Sequence, residues 1–151
     1  MMRKYIITKG SGNSNYAQNA FDNALLASGV ADYNLVKISS ILPPGLIPVD
    51  SIDLPKGLIL YTAYSSYIES CPGKIISAAI SIAVPRDFSL PGVIMEAGGE
   101  YDQGTAEDIV VAMGQNAMAS RNIKAFDIQK DAISMRTIVG FNCVFAAVSI
   151  W

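Results

Sequence analysis

The chain contains no histidine, so any chemistry it performs must use serine, tyrosine, lysine, aspartate or glutamate side chains. This absence excludes Ser-His and Cys-His nucleophile pairs, histidine general bases and histidine-ligated zinc sites. Among the remaining candidates, the most unusual local feature is the serine pair Ser39-Ser40, which is soon followed by Pro43-Pro44-Gly45. A serine pair before a proline turn is commonly a simple strand end whose hydroxyls bond to nearby backbone. The pair alone therefore marks a candidate site without specifying a reaction.

The serine pair stands at the end of a predicted strand. Leu35, Lys37 and Ser39 recur every second residue over 34–39 and alternate with branched apolar residues, which is typical of a β-strand. The prolines that follow cannot continue a hydrogen-bonded ladder. We therefore expect the chain to leave its sheet abruptly near the two serines.

Two segments predict amphipathic helices. Residues 17–28 place small and apolar side chains at helical spacing, and Gly29 stands where a left-handed C-cap residue is expected. Thr105 and Asp108 form a capping-box-like start for a second helix that runs to about Ser120. Its predicted buried stripe consists of Ile109, Met113 and Ala117.

The strands are predicted from short apolar runs. The run Ile75–Val84 predicts a central, buried strand, and residues 10–15 predict a polar loop. The other predicted strands are Tyr5–Thr8, Gly57–Tyr64, Gly92–Glu96, Ala125–Ile128, Ala132–Val139 and Cys143–Trp151. Two helices among seven or so strands predict an α+β sandwich in which helices cover sheets that pack face to face.

Composition limits the size, the partners and the compartment. The 151 residues are 51% hydrophobic, which suits one domain with a substantial core. A net charge of −2 with only 16% charged residues argues against nucleic acid and membrane surfaces as partners. No apolar stretch is long enough for a signal-peptide core or a membrane span. We expect a cytoplasmic oligomer, with Cys71 and Cys143 as buried free thiols, although the sequence leaves a disulfide open.

Short motifs in a fixed order surround the serine pair and extend over nearly the whole chain. They are Asn19-Ala20-Phe21-Asp22, Ala24-Leu25-Leu26, Asn34-Leu35, Ser39-Ser40 with Pro43-Pro44, Thr62-Ala63-Tyr64, Pro72-Gly73, Ile76-Ser77-Ala78-Ala79-Ile80-Ser81, Met95-Glu96, Cys143, Phe145-Ala146-Ala147 and Trp151. Together they resemble the pyruvoyl-dependent arginine decarboxylase family. Their order makes the resemblance far more specific than any single motif. The loops at 87–90 and 99–103 depart from the family pattern, which leaves access to the site and its specificity open.

The resemblance implies a fold, an assembly and an activity. The fold is the four-layer αββα sandwich of the pyruvoyl-dependent histidine and arginine decarboxylases, and the assembly is a homotrimer or a dimer of trimers with sites between neighbouring subunits. The activity is conversion of L-arginine to agmatine and carbon dioxide in polyamine biosynthesis. The single domain, 1–151, would begin as a zymogen and cleave itself between Ser39 and Ser40 into chains 1–39 and 40–151.

The family's route to its cofactor also makes physical sense for this serine pair. The Ser40 hydroxyl attacks the carbonyl carbon of Ser39 and converts the peptide bond to an ester. Elimination then releases the upstream chain, and hydrolysis leaves a pyruvoyl group where Ser40 stood. Its ketone accepts electrons from the substrate as pyridoxal phosphate would, so that neither pyridoxal phosphate nor a metal is expected.

The resemblance assigns roles to five further groups. Glu96 corresponds to the proton donor, and Asn34 to a residue associated with self-processing. Asp22 is expected to receive the substrate's guanidinium, while Tyr64 and the new carboxylate of Ser39 are weaker candidates for substrate contact. Each residue also has an ordinary structural interpretation. Glu96 would be a strand-end carboxylate, Asn34 a turn residue, Asp22 a solvated helix residue, Tyr64 a core residue and Ser39 a strand-end residue.

Two alternatives stay open on the sequence alone. The first is decarboxylation of another basic amino acid by the same chemistry. The second is a processing-deficient relative of the family that acts as a binding or partner subunit. The mass of the intact chain distinguishes the second from an enzyme, because self-cleavage splits the chain.

Overall fold

The structure is a computed structural model that describes residues 4–151, in which two helices accompany nine strands. Met1 to Arg3, which the single-domain prediction includes, lie outside the described residues. The elements are β1 (Lys4–Ser14), α1 (Ala17–Ser28), β2 (Asn34–Lys37), β3 (Ile41–Leu42), β4 (Ile47–Pro48), β5 (Ile59–Glu69), β6 (Ile75–Pro85), β7 (Gly92–Gly99), α2 (Gln103–Ser120), β8 (Phe126–Arg136) and β9 (Phe141–Ile150).

The strands form two sheets. A five-stranded sheet has the order β2-β5-β9-β1-β4, and a four-stranded sheet has the order β3-β7-β6-β8. All neighbours are antiparallel except the pairs β1-β4 and β2-β5, which are parallel. Helix α1 contacts β1 and β9 of the first sheet, and α2 contacts β6, β7 and β8 of the second. The prediction of an α+β fold with two helices and two sheets is confirmed.

The main core lies where β6 faces β9. Ile76 and Ile80 of β6 are buried in one cluster with Val144 and Val148 of β9. Burial of each such side chain contributes roughly 1.5–3 kcal/mol relative to exposure. All residues from Ile76 to Ala83 are buried, and β6 lies between β7 and β8, which confirms the prediction of a central strand here.

Two glycines in β1 let α1 pack directly on the backbone of the strand. A Cβ atom on Gly12 would lie 2.4 Å from the carbonyl oxygen of Ala20, and one on Gly10 would lie 2.2 Å from that of Ala24. The prediction of a polar loop at residues 10–15 was therefore wrong, since β1 continues to Ser14 and uses its glycines for close packing. The predicted helix and its left-handed cap at Gly29, with φ of 80°, are confirmed.

Helix α2 begins earlier than predicted and shows a different face to its sheet. Its N-cap is Asp102, whose carboxylate accepts a hydrogen bond of 2.8 Å from the backbone N–H of Thr105. Met113 is exposed, and Ile109 is only half-buried. Ala117 is buried as predicted, and the other buried residues are Ala106, Val110, Gly114 and Met118. Small residues at this stripe allow the helix to approach β6 closely. Neither helix of residues 4–151 is long and apolar enough to cross a membrane.

The C-terminal third contains two long strands instead of the three predicted. β8 runs unbroken beside the full length of β6, so the predicted break between Ile128 and Ala132 does not occur. The two cysteines are free, and the expectation that both are buried was wrong for Cys71, which is exposed in the turn between β5 and β6. Cys143 is buried, and this burial raises the pKa of its thiol to about 11.

Candidate functional site

The chain crosses from one sheet to the other at the serine pair. On the upstream side, the backbone N–H of Ile38 donates to the carbonyl oxygen of Thr62 in β5, at 3.2 Å. On the downstream side, the backbone N–H of Ile94 in β7 donates to the carbonyl oxygen of Ser40, at 2.8 Å. Only Ser39 lies between these two anchored residues. The peptide bond between Ser39 and Ser40 is thus held from both ends by different sheets.

Ser40 has a backbone conformation that its side chain disfavours. Its φ is +67°, in the left-handed region, and Asn122 is the only other non-glycine residue within 4–151 with a positive φ. Asparagine tolerates this region well, whereas for serine it costs about 1–2 kcal/mol. The surrounding hydrogen bonds must offset this cost. Backbone strain is therefore located at one of the two residues that share the predicted scissile bond.

The hydroxyl of Ser40 is held by the carboxylate of Glu96. Its Oγ lies 3.0 Å from Oε1 and 2.9 Å from Oε2 of Glu96, and it donates to this carboxylate. Glu96 lies on β7, where it pairs across the sheet with Ile80. Burial raises the pKa of Glu96, while the hydrogen bond from Ser40 and the charge of Lys37 lower it, and the net direction is upward. A carboxyl group in this setting can accept a proton from Ser40 and can also retain one.

Lys37, whose charge acts on Glu96, lies over an aromatic ring. The Nζ atom of Lys37 lies 4.6 Å from the centroid of the Tyr64 ring. Tyr64 is half-buried and packs against Phe21 of α1 and Phe145 of β9, with ring centroids 6.4 and 5.4 Å apart. Tyr64 is therefore rigidly placed. No role for Lys37 is predicted from the sequence, although its same-side spacing with Ser39 in the predicted strand could have indicated one.

Two of the predicted site residues form no hydrogen bond with Ser40 or Glu96 within the described chain. Asn34 opens β2, and its side-chain amide donates to the carbonyl oxygen of Gly57 at 2.7 Å. At about 3.3 Å per residue it stands roughly 10 Å before Lys37 at the far end of that strand. Asp22 is exposed on α1 and forms no salt bridge within residues 4–151. The structure thus brings together Ser40 and Glu96, but no hydrogen bond in the described chain joins Asn34 or Asp22 to them.

The acidic and thiol side chains are dispersed over the fold. Within residues 4–151, no three of them converge in a way that could hold a metal ion. The chemistry that this arrangement can support is accordingly that of a strained serine whose hydroxyl contacts a partly buried carboxyl group.

Comparison with known proteins gives consistent matches over nearly the whole chain. A sequence model of the family described as "Pyruvoyl-dependent arginine decarboxylase" matches residues 4–149. A protein of that name from Methanocaldococcus jannaschii is 39% identical over 145 residues, covering 96% of this chain and 87% of the relative. One from Methanococcus aeolicus is 37% identical over 147 residues, with the same two coverages. One from Pyrococcus horikoshii is 31% identical over 138 residues, covering 89% of this chain and 87% of the relative.

Proposed function

This chain belongs to the pyruvoyl-dependent arginine decarboxylase family, and we propose that it cleaves itself between Ser39 and Ser40 and then decarboxylates L-arginine to agmatine. The observation that supports this most directly is the strained Ser40, whose hydroxyl contacts Glu96 at the crossing between the two sheets. The resulting enzyme is a carboxy-lyase made of chains 1–39 and 40–151. We also propose the four-layer αββα arrangement of the family for its two sheets and two helices.

Self-cleavage uses groups that are already in contact. Glu96 accepts the proton of the Ser40 hydroxyl, and the Oγ atom attacks the carbonyl carbon of Ser39, forming an ester and freeing the Ser40 amine. The left-handed φ of Ser40 favours this step, because the strain is released when the peptide bond is replaced. Elimination then releases the Ser39 carboxylate, and hydrolysis of the remaining unsaturated residue releases ammonia.

Residue 40 is well suited to carry the pyruvoyl group. Serine is the residue type that can form it, and the carbonyl of residue 40, which persists after cleavage, is fixed by the backbone N–H of Ile94. The group supplies a ketone that accepts electrons from the substrate's α-carbon. Glu96 faces the same side chain position and, with its raised pKa, is suited to return a proton to that carbon.

The test of this function is a direct assay. Intact-mass analysis of the purified protein should give two chains, corresponding to 1–39 and 40–151, with the second lacking a free amine. Incubation with arginine should release carbon dioxide and agmatine, at a specificity constant well above those for lysine and ornithine. An uncut chain that releases no carbon dioxide from any of the three would contradict the proposal.

Asp22 is proposed to receive the guanidinium of the substrate. Asp22→Asn keeps the shape of the side chain but removes its charge. In a site that a neighbouring subunit closes, loss of one partner of the buried charge pair costs about 2–5 kcal/mol. The specificity constant for arginine should therefore fall roughly thirtyfold or more. It should fall much less for citrulline, a neutral isostere that has no guanidinium charge to lose.

The control for Asp22→Asn is Asp108→Asn, which removes an exposed carboxylate from the other helix. Both variants should be cut into two chains as completely as the parent, since the Ser40 hydroxyl bonds to Glu96 and not to Asp22 within the described chain. An unchanged preference for arginine over citrulline in Asp22→Asn would remove Asp22 from the guanidinium site.

A homotrimer would complete the site. Within the described chain, Asp22 and Asn34 are exposed and form no hydrogen bond with the Ser40–Glu96 pair, so subunits that meet at this edge could supply them to each other. Large hydrophobic side chains are exposed nearby on β2 and at the start of β5. They are Val36, Leu58, Ile59 and Tyr61. An apolar patch of this kind supports coverage by another subunit.

Sedimentation equilibrium at micromolar concentration should give a trimer or a dimer of trimers. Ile59→Lys places a charge in the proposed contact and should shift the protein toward monomers with lower activity. Val139→Lys, at an exposed residue in the turn before β9, is the matched control and should leave assembly unchanged. A monomer that keeps full activity would contradict an active site shared between subunits.

A further inference from the structure

We propose that Lys37 stabilises the carboxylate that self-cleavage creates at Ser39, an inference that rests on the proposed function. Lys37 is the last residue of β2 and stands two residues before the scissile carbonyl. Its ammonium lies over the face of Tyr64, 4.6 Å from the ring centroid. This cation–π attraction is weaker than a charge-assisted pair with a carboxylate. The ammonium can therefore exchange the ring for a stronger partner that arises two residues along the chain.

Lys37 differs from most lysines of the described chain in having no carboxylate partner. Of the seven lysines within residues 4–151, five form salt bridges. These are Lys4, Lys9, Lys56, Lys74 and Lys130. Lys124, the other lysine without a salt bridge, is exposed in the connection between α2 and β8. A cation without a carboxylate partner, two residues before the scissile carbonyl, suits a role toward an anion that forms only when the chain is cut.

The positive charge of Lys37 acts on the carboxyl group of Glu96. Burial raises the pKa of Glu96, and the hydrogen bond from Ser40 and the positive charge of Lys37 lower it. The hydrogen bond from Ile38 to Thr62 extends the pairing of β2 with β5 beyond Lys37. In such an extended segment, the Cα atoms of residues two apart are roughly 7 Å from each other. This separation is within the reach of a lysine side chain.

The step that would benefit is the elimination. After the acyl shift, Ser39 is joined to Ser40 through an ester. A base removes the α-proton of Ser40, its electron pair forms the Cα–Cβ double bond, and the Cβ–Oγ bond breaks. Both electrons of that bond leave with the Ser39 carboxylate, which carries a full negative charge. A neighbouring ammonium lowers the barrier for this departure because the charge develops in the transition state.

The experiment compares Lys37→Met with Lys37→Arg in freshly synthesised chain. Methionine keeps an apolar side chain over Tyr64 without the charge, whereas arginine keeps the charge and also stacks on aromatic rings. Lys124→Met is the control for loss of one lysine charge elsewhere. Chains made by cell-free synthesis are followed by intact mass, with and without hydroxylamine, which cleaves esters to a hydroxamate at Ser39.

In Lys37→Met, appearance of the final two chains should slow about tenfold, and hydroxylamine should release a short fragment from accumulated ester. Lys37→Arg and Lys124→Met should process within about twofold of the parent. Lys37→Gln gives a second neutral variant if Lys37→Met fails to fold. Three results would each overturn the inference: a parental rate in the neutral variants, slowing without a hydroxylamine-sensitive species, or equal slowing in Lys37→Arg. If the parent chain itself is never cut, the proposed function fails instead.

Discussion

Replacement of Ser40 by alanine is expected to give one uncut chain of 151 residues without decarboxylase activity. The variant lacks the oxygen nucleophile that begins the acyl shift, and no other hydroxyl is anchored at this position. Intact mass after prolonged incubation measures the result. Ser39→Ala is the matched control, since it removes the neighbouring hydroxyl and leaves both the Ser40 nucleophile and the scissile carbonyl. Normal cleavage of the Ser40→Ala chain would remove the central claim about this site.

Graded substitutions at the same residue test the strain as well as the nucleophile. Ser40→Cys and Ser40→Thr retain a nucleophilic atom and should cleave more slowly than serine. Ser40→Gly, like Ser40→Ala, should stay uncut, but glycine adopts a φ of +67° without the steric cost that a Cβ atom brings. The free energy of unfolding of the uncut glycine variant should therefore be about 1 kcal/mol higher than that of the alanine variant. Equal stabilities would show that Ser40 is not strained.

Glu96→Gln is expected to lower turnover by a factor on the order of one hundred or more. The amide has nearly the same shape but has no acidic proton to give to the substrate's α-carbon. Because Glu96 also contacts the Ser40 hydroxyl, self-cleavage of this variant should slow too. Initial rates are therefore divided by the fraction of cleaved chain, which intact-mass analysis measures. Glu100→Gln, at an exposed glutamate just after β7, is the control. Parental turnover per cleaved chain in Glu96→Gln would exclude a catalytic role.

The pH dependence of turnover follows from the same carboxyl group. Burial raises the pKa of Glu96, and the opposing hydrogen bond from Ser40 disappears once that hydroxyl has been consumed. Its protonated form, which is the donor, therefore persists to higher pH than for an ordinary glutamate. Turnover of the processed parent enzyme should decline as pH rises through this pKa. The residual turnover of Glu96→Gln should lack that decline.

The parts of the fold that could be predicted from the sequence are those in which a local residue pattern is compatible with one type of secondary structure only. The unbroken apolar run of β6 and the helix closed by Gly29 are examples. The errors fall where packing between elements decides. Gly10 and Gly12 are residues typical of a loop, yet they belong to a strand. At both positions α1 packs against the strand backbone so closely that a side chain would clash. The buried stripe of α2 was predicted correctly only at Ala117, because it includes small residues such as Ala106 and Gly114 that carry no strong apolar signal.

In the candidate site too, some features could be predicted from the sequence and others depend on how the strands pair. The family resemblance in the sequence was sufficient to name Ser40 and Glu96, and these two side chains are in contact. The position of Lys37 over Tyr64 depends on the alignment of β2 with β5, which no local pattern specifies. The separation of Asn34 from Ser40 likewise depends on the direction of β2 within its sheet.

The crossing at Ser39 has a consequence for refolding. If the bond is cut as proposed, residues 1–39 have no covalent link to the rest of the chain. This fragment contains α1, β2 and β1, and β1 lies between β9 and β4. Loss of this fragment would remove an interior strand and an edge strand from one sheet. Folding of the precursor is a unimolecular reaction, whereas reassembly of the processed subunit after denaturation requires two polypeptides to meet. The proposed cleavage thus implies a mature protein whose fold is assembled before the cut and whose lifetime is set by how slowly it unfolds.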